Sequence, residues 1–445
     1  MTPLAQLGSF IAHDIRGCLS GPQRGELALH VFDTVAAWIA TGATPEARIL
    51  RQLQARSRNA STDPTRDLVF SCALTRLSEI DDIHLASMIT PGAIVVPAAI
   101  SIASSLRADP AALSEAIVAG YEAMVRLGLA LDGPSILYRG IWPSYIAAPF
   151  GVAAVAARLF ELSADAAANA LSLALTLAAP GVGQQHAPTG SRWLAIGNAA
   201  HSGLFAAQAA DAGFTADLNL FENGFFNAIF GITPNASPLT ESLGKRFKFE
   251  EVSFKPWCAA RQTMAGTQAL RELLEAGVAA RDITAIEVLV PPPFLKMIDH
   301  GIGASSEARY GNRIARLTSQ PYQLAVAALA PELAFDLAQI CDVPVDVLRF
   351  MDMITVRADA DMLQDFPRQW PARLRVRTPR GDHERIIVNV PGDPERRFDD
   401  NALKAKAHRL VGAAAEEIAA HCDALLNDPG APARLIAAID RLSTH

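Results

Sequence analysis

Long apolar runs are the first thing this 445-residue chain lacks: no stretch reaches the ~20 uninterrupted apolar residues that a membrane span needs. Its opening residues, Met1 to Arg16, carry Asp14 and no basic segment leading into an apolar core, so no secretory leader is expected. Cysteine is scarce. The five thiols, Cys18, Cys72, Cys258, Cys341 and Cys422, are scattered and odd in number, with no Cys-x-x-Cys pair. That pattern excludes a disulfide scaffold and a thiolate metal site, and it fits reduced thiols in the cytoplasm. A basic excess is missing too: 39 Lys and Arg stand against 46 Asp and Glu, for a net charge of -7. Nucleic acid and anionic membrane surfaces need a positive field, so neither is an expected partner.

What is present is an alanine-heavy chain, 50% hydrophobic and 19% charged, which favours helix and a folded core. Its length exceeds one comfortable core and predicts two domains. Residues 4–55 are spaced as helix, with Val31, Phe32, Val35 and Ile39 at intervals of three and four before a Gly42 stop. Asp33-Thr34 within it reads as a solvated or helix-packing pair. Helices continue over 67–89 and 92–128, with Pro97 as a kink and Asp109-Pro110 as a fresh start. In the stretch 78–100, helical spacing would put Asp81 and His84 on one face, acid beside imidazole, and Thr90-Pro91 reads as a capping threonine with proline at the first helical position.

Arg139-Gly-Ile-Trp-Pro-Ser-Tyr145 forms a polar, aromatic loop between apolar helices, a favourable place for binding residues. The glycine-spaced segment 181–192 lacks the preceding strand and the Lys-Ser/Thr of a phosphate loop, which argues against nucleotide binding. Small residues from Gly197 to Ala206 would let their helix approach a neighbour closely. After about Glu241 the composition changes. Strands are expected at 284–290, 353–358, 372–377 and 385–390, the last two joined as a hairpin through Pro-Arg-Gly-Asp. The expected layout is a helical domain over 1–245, an α+β domain with a mostly antiparallel sheet over 246–400, and a helical tail over 401–445 returning to the first.

Asp81-Asp82 ahead of Pro91-Gly92, Gly140-x-x-Pro-Ser, Ser191-Arg192 before Gly197-x-Ala-Ala, Lys255-Pro-Trp and Pro321-Tyr322-x-Leu-Ala-Val occur in order along nearly the whole chain. Together they resemble the MmgE/PrpD family, which includes 2-methylcitrate dehydratase, cis-aconitate decarboxylase and iminodisuccinate epimerase. The resemblance implies a mainly α protein with a large all-helical domain and a smaller α+β domain resembling chorismate mutase. It also implies an active site in the cleft between them, no cofactor, and a homodimer. The chain departs from the lyases of that family where they usually carry proton-handling groups. Thr90, Trp142 and Met264 stand at histidine positions, and Arg192 stands for a lysine.

The family's reactions begin with proton transfer at a carbon beside a carboxylate, which requires a tuned base and cations that stabilise the enolate. Tyr145, Lys255 and His84 are the candidate catalytic residues. Lys255 suits either base or cation. Asp81, Asp82, Thr90, His186, Arg192, Arg261 and Tyr322 are the candidate substrate-binding residues, the two arginines as carboxylate clamps. Epimerisation needs two proton carriers on opposite faces of one carbon and no leaving-group acid. The expected activity is therefore an epimerase acting on a polycarboxylate such as iminodisuccinate, with a lyase and a non-catalytic carboxylate binder as the alternatives. No metal is implied, because the acids and histidines have no ligand spacing.

Overall fold

Capping residues written into the sequence start several of the helices. Ser20 and Gln23 form a reciprocal capping box before the helix Gly21–Ala40. Asp109 accepts the N–H groups of Ala111 and Ala112 at 2.9 and 3.4 Å, with Pro110 in the first turn of the helix it starts, as the sequence predicts. Ser163 accepts that of Ala166 at 3.2 Å. Each such cap is worth about 1 kcal/mol, because it satisfies donors that a helix start leaves without partners. The structure is a computed structural model that describes residues 1–60, 66–179, 189–302, 311–339 and 342–443. It is mainly helical, with one four-stranded mixed sheet. No single helix among the described residues is long and apolar enough to cross a membrane.

The chain divides into two units. The helical one comprises Met1–Val182, Ser191–Phe254 and Asp399–His445. Its centre is the helix Pro143–Leu159, buried along its whole length and packed on Pro110–Ala130 and Ser191–Asp211. Such contact demands small residues. A Cβ at Gly203 would stand 2.2 Å from the carbonyl oxygen of Pro149, so the two helix backbones touch where no side chain could fit. The C-terminal helices Asp400–Val411, Ala414–Ala424 and Ala431–Leu442 pack on Gly21–Ala40 and Gly92–Leu106. Asp33 is neither solvated nor a bystander: Lys406 reaches it at 2.7 Å, and both side chains are buried. At Gly42 a Cβ would fall 2.0 Å from the carbonyl oxygen of Ser443, so the last helix seats directly on that turn.

The second unit is built on Lys255–Phe398. Its strands are β1 (Ala285–Val290), β2 (Ile354–Ala358), β3 (Ala372–Thr378) and β4 (Gly381–Ile387), in the order β2-β1-β3-β4. The β1–β3 and β3–β4 pairs are antiparallel, whereas β1 and β2 run parallel and are joined by helical segments, as a parallel pair requires. The hairpin strand begins four residues earlier than the sequence predicts. Thr378 pairs with Gly381, so only Pro379 and Arg380 form the loop and pairing starts at once. Alternation places Ile286, Val288, Leu374 and Val376 on the face buried against the helix Arg261–Glu275. The other face carries charge. Arg357, Glu287, Arg375 and Glu384 form a chain across all four strands, with successive contacts of 3.2, 3.1 and 2.8 Å.

Candidate active site

The segment after the helix Asp67–Leu77 is not a helix, contrary to expectation. Ser78 closes the helix, Glu79 adopts φ +54°, and the chain then runs extended. Ile83 exchanges both backbone hydrogen bonds with Ser253, at 2.9 and 2.8 Å. His84 pairs with Ile89 around a turn through Met88, whose φ is +55°. The apolar residues of this stretch, Ile80, Ile83, Leu85 and Ile89, are all buried, so tertiary packing overrides the helical spacing. Asp81 and His84 consequently part company.

Asp81 lies 3.3 Å from the Arg76 guanidinium, which also contacts Glu79 at 2.8 Å. Asp82 gathers three groups: the Gly92 N–H at 2.8 Å, the Tyr121 hydroxyl at 2.7 Å, and His30 Nδ1 at 3.3 Å. Asp82, not Thr90, thus supplies the acceptor at the start of the helix Gly92–Leu106. Pro91 occupies the capping position rather than the first turn, because the extended chain carries the aspartate back to that N–H. Thr90 instead meets Ser144. Its N–H donates to the serine hydroxyl at 3.1 Å, and the two hydroxyls are 3.2 Å apart.

His84 is buried and faces away from Asp81. The Ser87 N–H donates to its Nδ1 at 3.2 Å and the Ser87 hydroxyl lies at 2.8 Å, which leaves Nε2 to carry the proton toward Glu251 at 3.4 Å. Burial pushes the imidazole below its ordinary value, so it serves as a neutral donor. Burial works to raise the Glu251 carboxyl, but the hydrogen bond from His84 and the ammonium of Lys248 at 3.1 Å hold it down to about 2. This pair ties the His84 turn to the segment before Phe254.

Tyr145 sits in the first turn of the helix Pro143–Leu159, only 2% exposed. Its hydroxyl donates to the backbone carbonyl of Arg192 at 2.6 Å. Burial raises the phenol well above its ordinary value, against the pull of the Arg76 and Arg192 guanidinia, so at neutral pH it holds its proton. Trp142 stands edge-on to Tyr145 with ring centres 5.7 Å apart, and the Arg192 guanidinium lies 5.1 Å over the indole. Trp193 donates to Glu79 at 3.1 Å. One cluster therefore joins Arg76, Glu79, Asp81, Tyr145 and Arg192: a buried phenol acid flanked by two guanidinia and two carboxylates. Sequence reasoning missed Arg76, Glu79 and Trp193. The available signals were Arg76 three residues before Glu79, and Trp193 beside the Ser191-Arg192 motif.

In the second unit Lys255 is buried, at 3% exposure, between Phe254 and Pro256. Arg261 contacts Asp393 at 2.6 Å, with both side chains fully buried, and Trp370 lies 5.8 Å from its guanidinium. Asp393 also accepts the Val390 N–H at 2.7 Å, so this arginine braces a turn. Tyr322, on the helix Gln320–Leu329, donates to Gln339 at 3.2 Å. Arg313 and Arg316, which sequence reasoning did not single out, donate at 2.6 Å to the backbone carbonyls of Leu337 and Gln339. Two guanidinia and a phenol thus converge on residues 337–339. Their spacing of three on a strongly amphipathic helix just before Pro321-Tyr322 was the available signal. His186 lies outside the described residues. Among the described residues no three His, Cys, Asp or Glu come together in a way that could hold a metal ion.

Two family models match the chain: the MmgE/PrpD N-terminal domain over residues 22–237 and the MmgE/PrpD C-terminal domain over 257–428. No curated protein matches it.

Proposed function

The chain belongs to the MmgE/PrpD family, and from that premise we propose that it is a cofactor-independent epimerase. Its substrate would be a small polycarboxylate such as iminodisuccinate, deprotonated and reprotonated at the carbon next to a carboxylate. Lys255 takes the proton on one face, and Tyr145 returns one on the other. The observation that carries this reading is the state of Tyr145, a sealed phenol that keeps its proton and stands beside Arg76 and Arg192. An enolate forming near such cations is stabilised as its charge develops.

The residues at the usual histidine positions support epimerisation over elimination. Thr90 is engaged with Ser144, Trp142 stacks under Arg192, and Met264 is buried in the helix Arg261–Glu275, and none of the three can protonate a leaving group. The same reading makes the protein a cytoplasmic homodimer. Solvent deuterium exchange into a panel of di- to tetracarboxylates, followed by NMR, tests it. Exchange with inversion is expected. Loss of water or CO2 would replace the reading with a lyase, and binding without exchange would make the chain a non-catalytic binder. Lys255→Ala and Tyr145→Phe should each lower turnover roughly 100-fold or more, the usual scale of acid–base catalysis. Wild-type rates in both variants would remove the two-carrier mechanism.

A further inference from the structure

A cavity of about 500 Å³ opens in the helical unit and shares no lining residue with the Tyr145 cluster. Its wall contains Ser101 and Ser104, near the end of the Gly92–Leu106 helix whose other end carries the Asp82 contact. At about 1.5 Å per residue, Gly92 and Ser104 are separated by about 18 Å along that helix. None of the cavity's lining residues takes part in the cluster. The volume falls within the range of small-molecule sites.

The chemistry of the wall is uneven. Arg58 and Asp67 engage each other at 2.9 Å, and Gln54 adds a hydrogen bond to Asp67 at 3.0 Å, so these three are satisfied from within. Arg51 and Asp440 are not. Among the described residues neither has a hydrogen-bond or ion-pair partner, although both line the same cavity and feel each other's charge. They are carried by different helices, Pro45–Ala60 and Ala431–Leu442, which hold them apart. The hydroxyls of Ser101 and Ser104 are likewise uncommitted among the described residues. Below them Trp38, Leu74, Ile436 and Ile439 supply an apolar surface.

We propose that this cavity binds an α-amino acid with an apolar side chain, its carboxylate on Arg51, its ammonium on Asp440 and its side chain on the Trp38–Leu74–Ile439 surface. Separated, unengaged charges of opposite sign select a zwitterion by exclusion as well as by attraction. A dicarboxylate would bring one anion against Asp440 and Asp67, and a diamine would bring one cation against Arg51 and Arg58. A guanidinium binds a carboxylate through paired hydrogen bonds, and the serine hydroxyls can serve either end of the ligand. This site is independent of the proposed epimerase chemistry and stands or falls separately from it.

Isothermal titration of the full-length protein with L-phenylalanine and L-leucine tests the proposal, alongside two truncated forms of phenylalanine. The first, 3-phenylpropanoate, lacks the ammonium; the second, 2-phenylethylamine, lacks the carboxylate. Saturable binding of at least one amino acid is expected, with each truncated form at least tenfold weaker than phenylalanine. Arg51→Ala and Asp440→Asn should each weaken amino-acid binding at least tenfold, with circular dichroism and melting unchanged. The comparison of phenylalanine with its truncated forms needs no variant and holds even where a substitution disturbs folding. Equal binding of 3-phenylpropanoate and phenylalanine would make this a plain anion site and overturn the proposal. So would no binding of either amino acid at roughly 10 mM, or wild-type affinity in both variants.

Discussion

The helical core and the open face of the sheet treat charge in opposite ways. The helical core buries it: Glu122 with Arg126, Glu115 with Arg158, and Asp33 with Lys406 are all buried, just as the interior of the α+β unit buries Arg261 with Asp393. The α+β unit spreads the chain Arg357, Glu287, Arg375 and Glu384 over an open sheet face. The number of contacts is similar and their consequences are not. A buried ion of a pair has no water to fall back on, whereas an exposed one exchanges its partner for solvent.

The sharpest way to break the comparison is at Glu122 and Arg126, both fully buried. Arg126 Nε lies 2.6 Å from Glu122, and its NH1 donates to the carbonyls of Pro238 and Glu241 at 2.9 and 2.8 Å, while Glu122 accepts the Lys248 N–H. Arg126→Met leaves a buried acid without its cation and two carbonyls without a donor, and a loss of about 3–5 kcal/mol in urea unfolding is expected. Adding Glu122→Leu should regain only part of that loss, because the carbonyls and the Lys248 N–H stay unsatisfied. Full recovery would mean that the pair is worth no more than its volume.

An intermediate effect is expected in acid. Both His84 and Glu251 have pKa values lowered in the folded protein, so folding favours their unprotonated forms. Their stabilisation is complete above the unfolded values of about 6.5 and 4.5. It is lost as pH falls, first below about 6.5 through His84 and then from about 4.5 down toward 2 through Glu251. His84→Gln keeps a donor for Glu251 without titrating, so unfolding midpoints across pH should lose the upper decline and keep the lower. A profile identical to wild type would remove His84 as its source. The smallest effect belongs to the sheet. Arg375→Ala should move the unfolding midpoint far less than Arg126→Met, and about 1 M salt should abolish what little it does.

Local chemistry was the legible part of the sequence. Asp109-Pro110 announces a helix because cap and proline act within one turn, and the β3–β4 hairpin is announced by its turn residues. The start of β4 was missed because Asp382, His383 and Glu384 look like loop, although they pair in register with Arg377, Val376 and Arg375, and the two acids meet arginines on the open sheet face. Partners distant in sequence were not legible. Nothing near Asp33 points to Lys406, and nothing in 78–90 reveals that Ser253 draws Ile83 into an extended pairing. Within the candidate site, Tyr145 and Arg192 carried motif signals. Arg76 carried only its spacing of three from Glu79, and a cation at a helix end ordinarily reads as a solvated complement to the helix dipole.

Gly42 carries a consequence for how this protein can change over generations. The final helix rests on the space where a methyl group would be, and the same helix brings Asp440 to the cavity wall. Position 42 is therefore tied to position 440, although of the two only Asp440 lines the cavity. A Gly42→Ala change would place its methyl group on the Ser443 carbonyl, displacing the last helix and with it the cavity wall that Asp440 supplies.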